Sequence, residues 1–126
     1  MASDKSALIV YILDDDDAVR DGLARLLRSA GLDPRPYATA EGFLEAVSNA
    51  SGGCVLLDIS MPKMTGPQVQ ACLNQRQITL PVITLSARDD AQARASTREL
   101  GARMFLRKPV DDQALLDAIN WVCHAD

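Results

Sequence analysis

The hydrophobic residues of this chain fall into short continuous runs that alternate with stretches of helical spacing. Three of the runs are almost entirely apolar and rich in Val, Ile and Leu, at residues 7–13, 54–57 and 81–85. Strands that are covered on both faces of a parallel sheet have this pattern. The runs therefore predict three central strands.

Two further segments are weaker strand candidates. Residues 32–37 contain Pro34 and Pro36, which have no backbone N–H to donate to a neighbouring strand. Such a strand is expected at the edge of a sheet. Residues 104–106 form the remaining short apolar run. With these two segments the chain has five predicted strands.

Between the runs, apolar residues recur at steps of three and four, which is typical of amphipathic helices. The first such segment, 19–30, follows a predicted N-cap at Asp17 and stops at Gly31, a common helix terminator. A later segment, approximately 90–100, has alanine and polar residues where large apolar side chains are expected, so this helix should be loosely held. Three more helices are marked by Phe43, Leu44 and Val47, by Val69 and Leu73 after Gly66-Pro67, and by Leu115, Ile119, Val122 and Cys123.

Strands and helices thus alternate along the whole chain. Five strands and five helices joined by right-handed crossovers make a doubly wound α/β sandwich. The ligand crevice of such a fold lies at the carboxyl ends of its strands. Candidate functional residues should therefore be sought directly after each strand.

Composition agrees with one globular domain. The chain has 126 residues, of which 48% are hydrophobic, and its net charge is -4 without a Lys/Arg cluster. No apolar run reaches the roughly 18 residues of a membrane span, and residues 1–6 lack the apolar stretch of a signal peptide. We therefore expect a soluble, cytoplasmic protein with no membrane contact and no direct nucleic-acid binding. Cys54, Cys72 and Cys123 match neither a disulfide framework nor a zinc site and are predicted to be buried and reduced.

Polar residues follow four of the predicted strands. Residues 14–17 are four consecutive aspartates after the first strand, and Asp58, Ser86 and Lys108 follow the third, fourth and fifth. Carboxylates brought together repel one another unless a divalent cation or a lysine neutralises them, and oxygen ligands suit Mg²⁺. A run of aspartates alone could be a solvated turn or a helix N-terminus. Polar residues after the first, third, fourth and fifth strands together predict a functional site at this edge of the sheet.

Four strings resemble the signature of response-regulator receiver domains, and the match covers essentially the whole chain. They are Leu13-Asp14-Asp15-Asp16, Leu57-Asp58-Ile59-Ser60-Met61-Pro62-Lys63-Met64-Thr65-Gly66, Thr84-Leu85-Ser86-Ala87 and Lys108-Pro109. The resemblance implies a flavodoxin-like fold with strand order 2-1-3-4-5 over residues 1–126, with no output domain in this chain. The chain is most similar to receivers of the nitrogen-fixation regulator type, which precede a helix-turn-helix output domain.

The resemblance also implies a phosphorylation chemistry. Asp58 would take a phosphoryl group from a phosphohistidine on a sensor histidine kinase. Asp15, Asp58 and the backbone carbonyl of Ser60 would bind Mg²⁺ or Mn²⁺, and Asp14 would orient the waters of the metal.

Three other residues have roles implied by the same resemblance. Ser86 and Lys108 would contact the phosphoryl oxygens, and the Lys108–Pro109 peptide bond would be cis. Phe105 would be an aromatic switch that moves together with Ser86, although core packing is an alternative for it. From their positions two residues beyond Asp58 and Ser86, we also expect Ser60 and Arg88 to tune the lifetime of the phosphorylated state, because both should flank the path of an attacking water.

The implied function is a signalling switch that catalyses only its own phosphorylation and dephosphorylation. The face formed by the fourth helix, the fifth strand and the last helix would be the regulated one, through a phosphorylation-dependent homodimer. An aspartyl-phosphate phosphatase is an alternative, but those enzymes use Asp-x-Asp and here Ser60 lies two positions after Asp58. A degenerate receiver that binds partners without phosphorylation is a further alternative. Trp121 is expected to be packed or to face a partner.

Overall fold

The protein, described here by a computed structural model over residues 7–61, 63–86 and 91–124, is built on a five-stranded sheet. Its strands are β1 (Ile9–Leu13), β2 (Asp33–Tyr37), β3 (Cys54–Asp58), β4 (Val82–Ser86) and β5 (Met104–Arg107). Every neighbouring pair is parallel, and the order is β2-β1-β3-β4-β5. The predicted sheet and strand order are therefore confirmed, with the proline-containing strand at an edge.

The helices are α1 (Asp17–Ser29), α2 (Ala40–Ala46), α3 (Gly66–Gln75), α4 (Ala91–Glu99) and α5 (Asp112–His124). The predicted cap of α1 was wrong by one residue. Asp16 is the N-cap, because its backbone is extended and its carboxylate accepts a hydrogen bond from the N–H of Val19. Asp17 is the first helical residue. A short 3-10 turn at Asn49–Ser51 was not predicted.

Each face of the sheet is buried by its own helices. Successive residues of a strand point to opposite faces. Val10 and Ile12 therefore pack against α1 and α5, whereas Tyr11 and Leu13 pack against α2 and α3. All residues of β3 and β4 are buried, which explains why these strands are continuous apolar runs in the sequence.

The start of α3 packs tightly on the loop that leaves β3. A Cβ atom placed on Gly66 would lie 2.4 Å from the side chain of Ile59, so only glycine fits this approach. Thr65 caps the helix and forms a reciprocal capping box with Gln68. Ile59, the first residue after β3, is thereby held against the beginning of α3.

Helix α4 presents few apolar side chains to the sheet. Among its described side chains only Thr97 is buried, and the hydroxyl of Thr97 bonds back to the carbonyls of Ala93 and Arg94 at 3.1 Å. Ala93 and Ser96 are half-buried. The thin apolar stripe expected from the sequence is confirmed.

The structure corrects the expectation for two of the cysteines and excludes one of the two alternatives for Trp121. Cys54 is buried, but Cys72 and Cys123 are only half-buried, because they lie on helices that bury one stripe of their surface. Trp121 is 58% exposed, which excludes a packed position for it within this chain. Within the described ranges, no helix has the length and apolar character needed to cross a bilayer.

Candidate functional site

Three carboxylates meet at the carboxyl ends of β1 and β3. Asp14 directly follows β1 and Asp58 ends β3, the neighbouring strand, so both side chains reach the same edge of the sheet. Asp14 is 0% and Asp58 4% exposed, whereas Asp15 is exposed. One carboxylate oxygen from each of the three lies within 4.8 Å of the others. The predicted convergence of these aspartates is confirmed.

The loop between β1 and α1 is held by hydrogen bonds to Asp14. One oxygen of Asp14 accepts from the N–H of Asp16 at 2.9 Å. The guanidinium of Arg20 donates to the backbone carbonyl of Asp14 at 2.8 Å and also pairs with Asp17. Arg20 was not among the predicted site residues. The signal that could have indicated it is a cation one helical turn beyond a run of four aspartates.

Lys108 brings a positive charge into the carboxylate cluster. Its ammonium lies 2.7 Å from Oδ2 of Asp14 and 3.6 Å from Oδ2 of Asp58. The Lys108–Pro109 peptide bond is cis, as expected. Burial by itself would lower the pKa of Lys108, but the hydrogen bond to Asp14 and the negative charges of Asp58 and Asp14 outweigh it and raise the pKa. Lys108 therefore stays protonated over a wide pH range.

Asp58 is in an environment that resists its ionisation. Burial raises the pKa of its carboxyl group, and the charges of Asp14 and Asp15 raise it further. A hydrogen bond of 3.0 Å from the N–H of Ser60 and the charge of Lys108 act in the opposite direction but do not cancel the rise. Ionisation of Asp58 in the folded protein therefore costs free energy unless another cation binds next to it.

The donor set fits Mg²⁺ or Mn²⁺. Asp14, Asp15 and Asp58 offer oxygen atoms only, which hard divalent cations prefer. The ammonium of Lys108 contacts two of these three carboxylates, so the cluster keeps an excess of negative charge. Ser60 follows Asp58 by two positions with its side chain exposed, as expected for a loop at the rim of this site.

Ser86 lies at the same edge of the sheet. It ends β4, is buried, and its carbonyl accepts a hydrogen bond from the N–H of Lys108 at 2.8 Å. Thr84, two residues earlier on the same face of the strand, donates its hydroxyl to the carbonyl of Met104 at 3.2 Å. Ser86 is thus the hydroxyl at the strand end, and Thr84 lies deeper in the fold.

Phe105 lies in the middle of β5, beside Thr84 of β4. Its ring is half-buried and lies 5.0 Å beneath the guanidinium of Arg94. It lines a cavity of about 250 Å³ between α4 and β5. Phe105 is therefore neither part of the closed core nor fully exposed.

Arg88 lies outside the described residues.

Comparison with known proteins agrees with this architecture. Residues 10–120 match the family model of the response regulator receiver domain. The transcriptional regulatory protein TdiR of Thauera aromatica is 44% identical over 115 residues, which cover 91% of this chain and 51% of TdiR. The transcriptional regulatory protein FixJ of Azorhizobium caulinodans is 38% identical over 114 residues, 90% of this chain and 54% of FixJ. The chain spans about half the length of the curated relatives it matches.

The solved structure of FixJ-N has the same fold. It aligns with a TM-score of 0.87 and 28% identity, covering 94% of this chain and 95% of FixJ-N. The family match extends from the second residue of β1 into α5 and includes every strand that contributes to the site. The chain therefore belongs to the receiver domains of two-component response regulators.

Proposed function

We propose that Asp58 is the phosphoacceptor of this receiver domain and that a phosphohistidine on a sensor histidine kinase is the donor. The observation that carries the proposal is the placement of the Lys108 ammonium between Asp14 and Asp58 at the carboxyl ends of the parallel strands. A carboxylate nucleophile and a fixed cation at one edge are what phosphoryl transfer requires.

The transfer exchanges one bond to phosphorus for another. A carboxylate oxygen of Asp58 bonds to phosphorus while the bond from phosphorus to the imidazole nitrogen of the donor breaks, giving an acyl phosphate. Lys108, already 3.6 Å from Asp58, stabilises the charge on the phosphoryl oxygens. Ser86, at the end of the neighbouring strand, donates its hydroxyl to one of these oxygens.

The acidic residues hold the divalent cation in this proposal. Asp14, Asp15, Asp58 and the backbone carbonyl of Ser60 contribute to the site for Mg²⁺ or Mn²⁺. When bound, the cation neutralises negative charge on the carboxylates and on the incoming phosphoryl group. Ser60 and Arg88 tune the lifetime of the phosphorylated state, because both follow site residues by two positions and flank the path of an attacking water.

Phosphorylation acts on a surface that we name the α4-β5-α5 face, formed by Ala91–Glu99, Met104–Arg107 and Asp112–His124. We propose that Ser86 and Phe105 move together when Asp58 is phosphorylated, and that this face then forms a homodimer. The half-buried Phe105 and the thin apolar stripe of α4 support this, since weakly anchored elements change conformation at low cost.

The output of the switch is also a proposal. Residues 1–126 act as the receiver unit, with no output domain among them and no direct contact with nucleic acid or membrane. TdiR and FixJ are transcriptional regulatory proteins about twice the length that this chain matches. We propose that this receiver likewise controls transcription in the cytoplasm, through an output domain or partner. Its only catalysis is its own phosphorylation and dephosphorylation.

Acetyl phosphate and Mg²⁺ test the chemistry directly. Intact mass should show one persistent adduct of about 80 Da that maps to Asp58. Asp58→Asn should abolish it, because an amide is not a phosphoacceptor nucleophile. An adduct on Asp14 or Asp16 would show that the nucleophile is misassigned. Continuous hydrolysis of acetyl phosphate without a lasting adduct would favour a phosphatase, and no reaction at all would favour a degenerate receiver.

A further inference from the structure

Three arginines line the cavity of about 250 Å³ between α4 and β5. They are Arg94 and Arg98 of α4 and Arg103, which directly precedes β5, and all three are exposed. No carboxylate lines the cavity among the residues that the structure describes. Arg98 and Arg103 form no ion pair with any described residue. The exposed part of this cavity is therefore positively charged, although the net charge of the chain is -4.

The inner part of the cavity has a different chemistry. Thr84 and Thr97 line it, and each is 1% exposed. Their hydroxyl hydrogens are already used, because Thr84 donates to the carbonyl of Met104 and Thr97 donates to carbonyls of its own helix. Among the described side chains that line the cavity, only the guanidinium groups can therefore donate hydrogen bonds to a bound anion.

The remaining walls are apolar. Ala102, Met104 and Phe105 are half-buried and line the same cavity. The ring of Phe105 lies 5.0 Å from the guanidinium carbon of Arg94, so a flat apolar surface adjoins a positive charge. The volume of about 250 Å³ is smaller than the roughly 300 to 1,000 Å³ of sites that hold drug-sized ligands. A small molecule with an apolar body and an anionic head matches these walls.

We propose that this cavity binds a small organic carboxylate. The carboxylate group contacts Arg98 and Arg103, and the apolar body lies against Met104 and Phe105. A guanidinium offers two parallel N–H donors to a carboxylate, and these charge-assisted hydrogen bonds orient the head of the ligand. Contact with the apolar walls removes the body of the ligand from water, which favours binding. Charge and apolar surface therefore both contribute to the affinity.

The position of the cavity allows its occupant to affect the switch. Helix α4 and strand β5 both belong to the α4-β5-α5 face, and Phe105 is the residue proposed to move together with Ser86. A ligand between α4 and β5 would attach α4 to the sheet, where the helix buries little of its own surface. This consequence rests on the proposed function. The binding itself does not, because it is measured on the unphosphorylated protein.

Titration of the unphosphorylated protein with benzoate, followed by NMR of the backbone amides at constant ionic strength, tests the proposal. Benzoate should shift the signals of Thr97, Ala102 and Phe105 saturably, with a Kd in the millimolar range or below. Benzyl alcohol lacks the charge and inorganic phosphate lacks the apolar body, so each should bind roughly fivefold more weakly or less. Phosphate binding as tight as that of benzoate would overturn the proposal, because the arginines would then attract any anion. Benzoate shifts confined to other parts of the chain would overturn it as well.

Substitutions separate this site from general effects of charge. Arg98→Gln and Arg103→Gln should each raise the Kd for benzoate roughly threefold to tenfold, because each removes a charged donor. Arg25→Gln, at an exposed position on α1, is the matched control and should leave the Kd unchanged. Ala102→Leu keeps every charge but fills the cavity from its apolar wall, so it should also weaken binding. A Kd within twofold of the parent in both Arg98→Gln and Arg103→Gln would contradict the proposal, whether or not Ala102→Leu folds.

Discussion

At the scale of single residues, the site depends on how charges of opposite sign are held near one another. Lys108 contacts the carboxylates of Asp14 and Asp58 directly. Arg20 instead holds the backbone carbonyl of Asp14 and the side chain of Asp17. The two cations therefore do different things: Lys108 compensates charge in the cluster, whereas Arg20 positions the loop that carries it.

Replacing Asp58 by asparagine should stabilise the metal-free protein at neutral pH. Because burial and neighbouring carboxylates raise the pKa of Asp58, the folded protein holds this proton more tightly than the unfolded chain. Stability is therefore lost as pH rises from the usual carboxyl pKa through the raised one. An amide at this position does not ionise and carries no such penalty. We expect Tm to rise by a few degrees at pH 7, since about 1 kcal/mol corresponds to roughly 3 to 6 °C.

Thermal unfolding of D58N from pH 4 to 8 in EDTA checks this. The difference in Tm from the parent should shrink toward pH 4, because the raised pKa of Asp58 favours its protonated, uncharged form in the folded protein as the pH falls. Exposed Asp21→Asn on α1 is the control and should change Tm little at any pH. Added Mg²⁺ should raise the Tm of the parent more than that of D58N. A D58N variant less stable than the parent at pH 7 would contradict the argument.

Arg20→Lys should weaken Mg²⁺ binding although the charge is unchanged. Lysine lacks the forked donors with which Arg20 holds Asp14 and Asp17 together, so the aspartate loop becomes less ordered. We expect the Kd for Mg²⁺ to rise roughly threefold to tenfold, which corresponds to about one hydrogen bond. Isothermal titration calorimetry measures it, with exposed Arg25→Lys on the same helix as the control. A Kd within twofold of the parent would rule out the positioning role.

At the scale of secondary-structure elements, the helices differ in how firmly they are attached. Helix α1 buries Ala24 and Leu27 and half-buries Leu23 and Leu26 in the core. The described side chains of α4 include one buried residue, Thr97, whose hydroxyl bonds within its own helix. Each missing large side chain forgoes roughly 1.5 to 3 kcal/mol of burial. Alanine-rich composition favours helix formation in α4 but does not attach it to the sheet.

Amides of α4 should therefore exchange with solvent faster than those of α1. Hydrogen–deuterium exchange of the unphosphorylated protein followed by mass spectrometry measures both helices in one experiment. We expect the protection of residues 91–100 to be roughly tenfold or more below that of residues 19–30. Equal protection would mean that α4 is held as firmly as its neighbours and is not the mobile element of the switch.

At the scale of the whole molecule, the proposed dimer face lies at one edge of the sheet and α1 near the other. Helix α1 packs over β1 and β2, while α4 lies beside β5. Arg98 is exposed on α4, and Arg25 is exposed on α1. A substitution at each position therefore separates effects on the dimer face from general effects of charge.

Phosphorylation should convert the protein from monomer to dimer, and Arg98→Glu should weaken this dimer by roughly tenfold or more. The reason is that the carboxylate introduced at position 98, opposite in sign to the arginine it replaces, costs more free energy when it is buried at the dimer interface than when it stays in solvent on the monomer. Arg25→Glu should leave dimerisation unchanged. Sedimentation velocity with and without acetyl phosphate measures both variants, after mass spectrometry has shown equal phosphorylation. A phosphorylated parent that remains monomeric at high concentration would exclude the dimer.

The sequence by itself determined the order of the elements and the edge at which the site lies. Apolar runs bounded by Asp14, Asp58, Ser86 and Lys108 predict buried parallel strands, because both faces of such strands exclude polar residues until the strand ends. These signals are local, and strand topology brings their ends together whatever the details of packing. Pro34 could be assigned to an edge strand from an equally local property, its missing N–H.

Only the tertiary structure decided which side chains touch. The contact of Lys108 with Asp14 joins residues 94 positions apart, and its length depends on the packing of β5 against β4. The cap at Asp16, the role of Arg20 and the half-exposed position of Cys123 likewise depend on where each helix begins and how it is rotated on the sheet. The rotation of a helix on the sheet is determined by the sum of many small packing energies. No single stretch of sequence therefore predicts it.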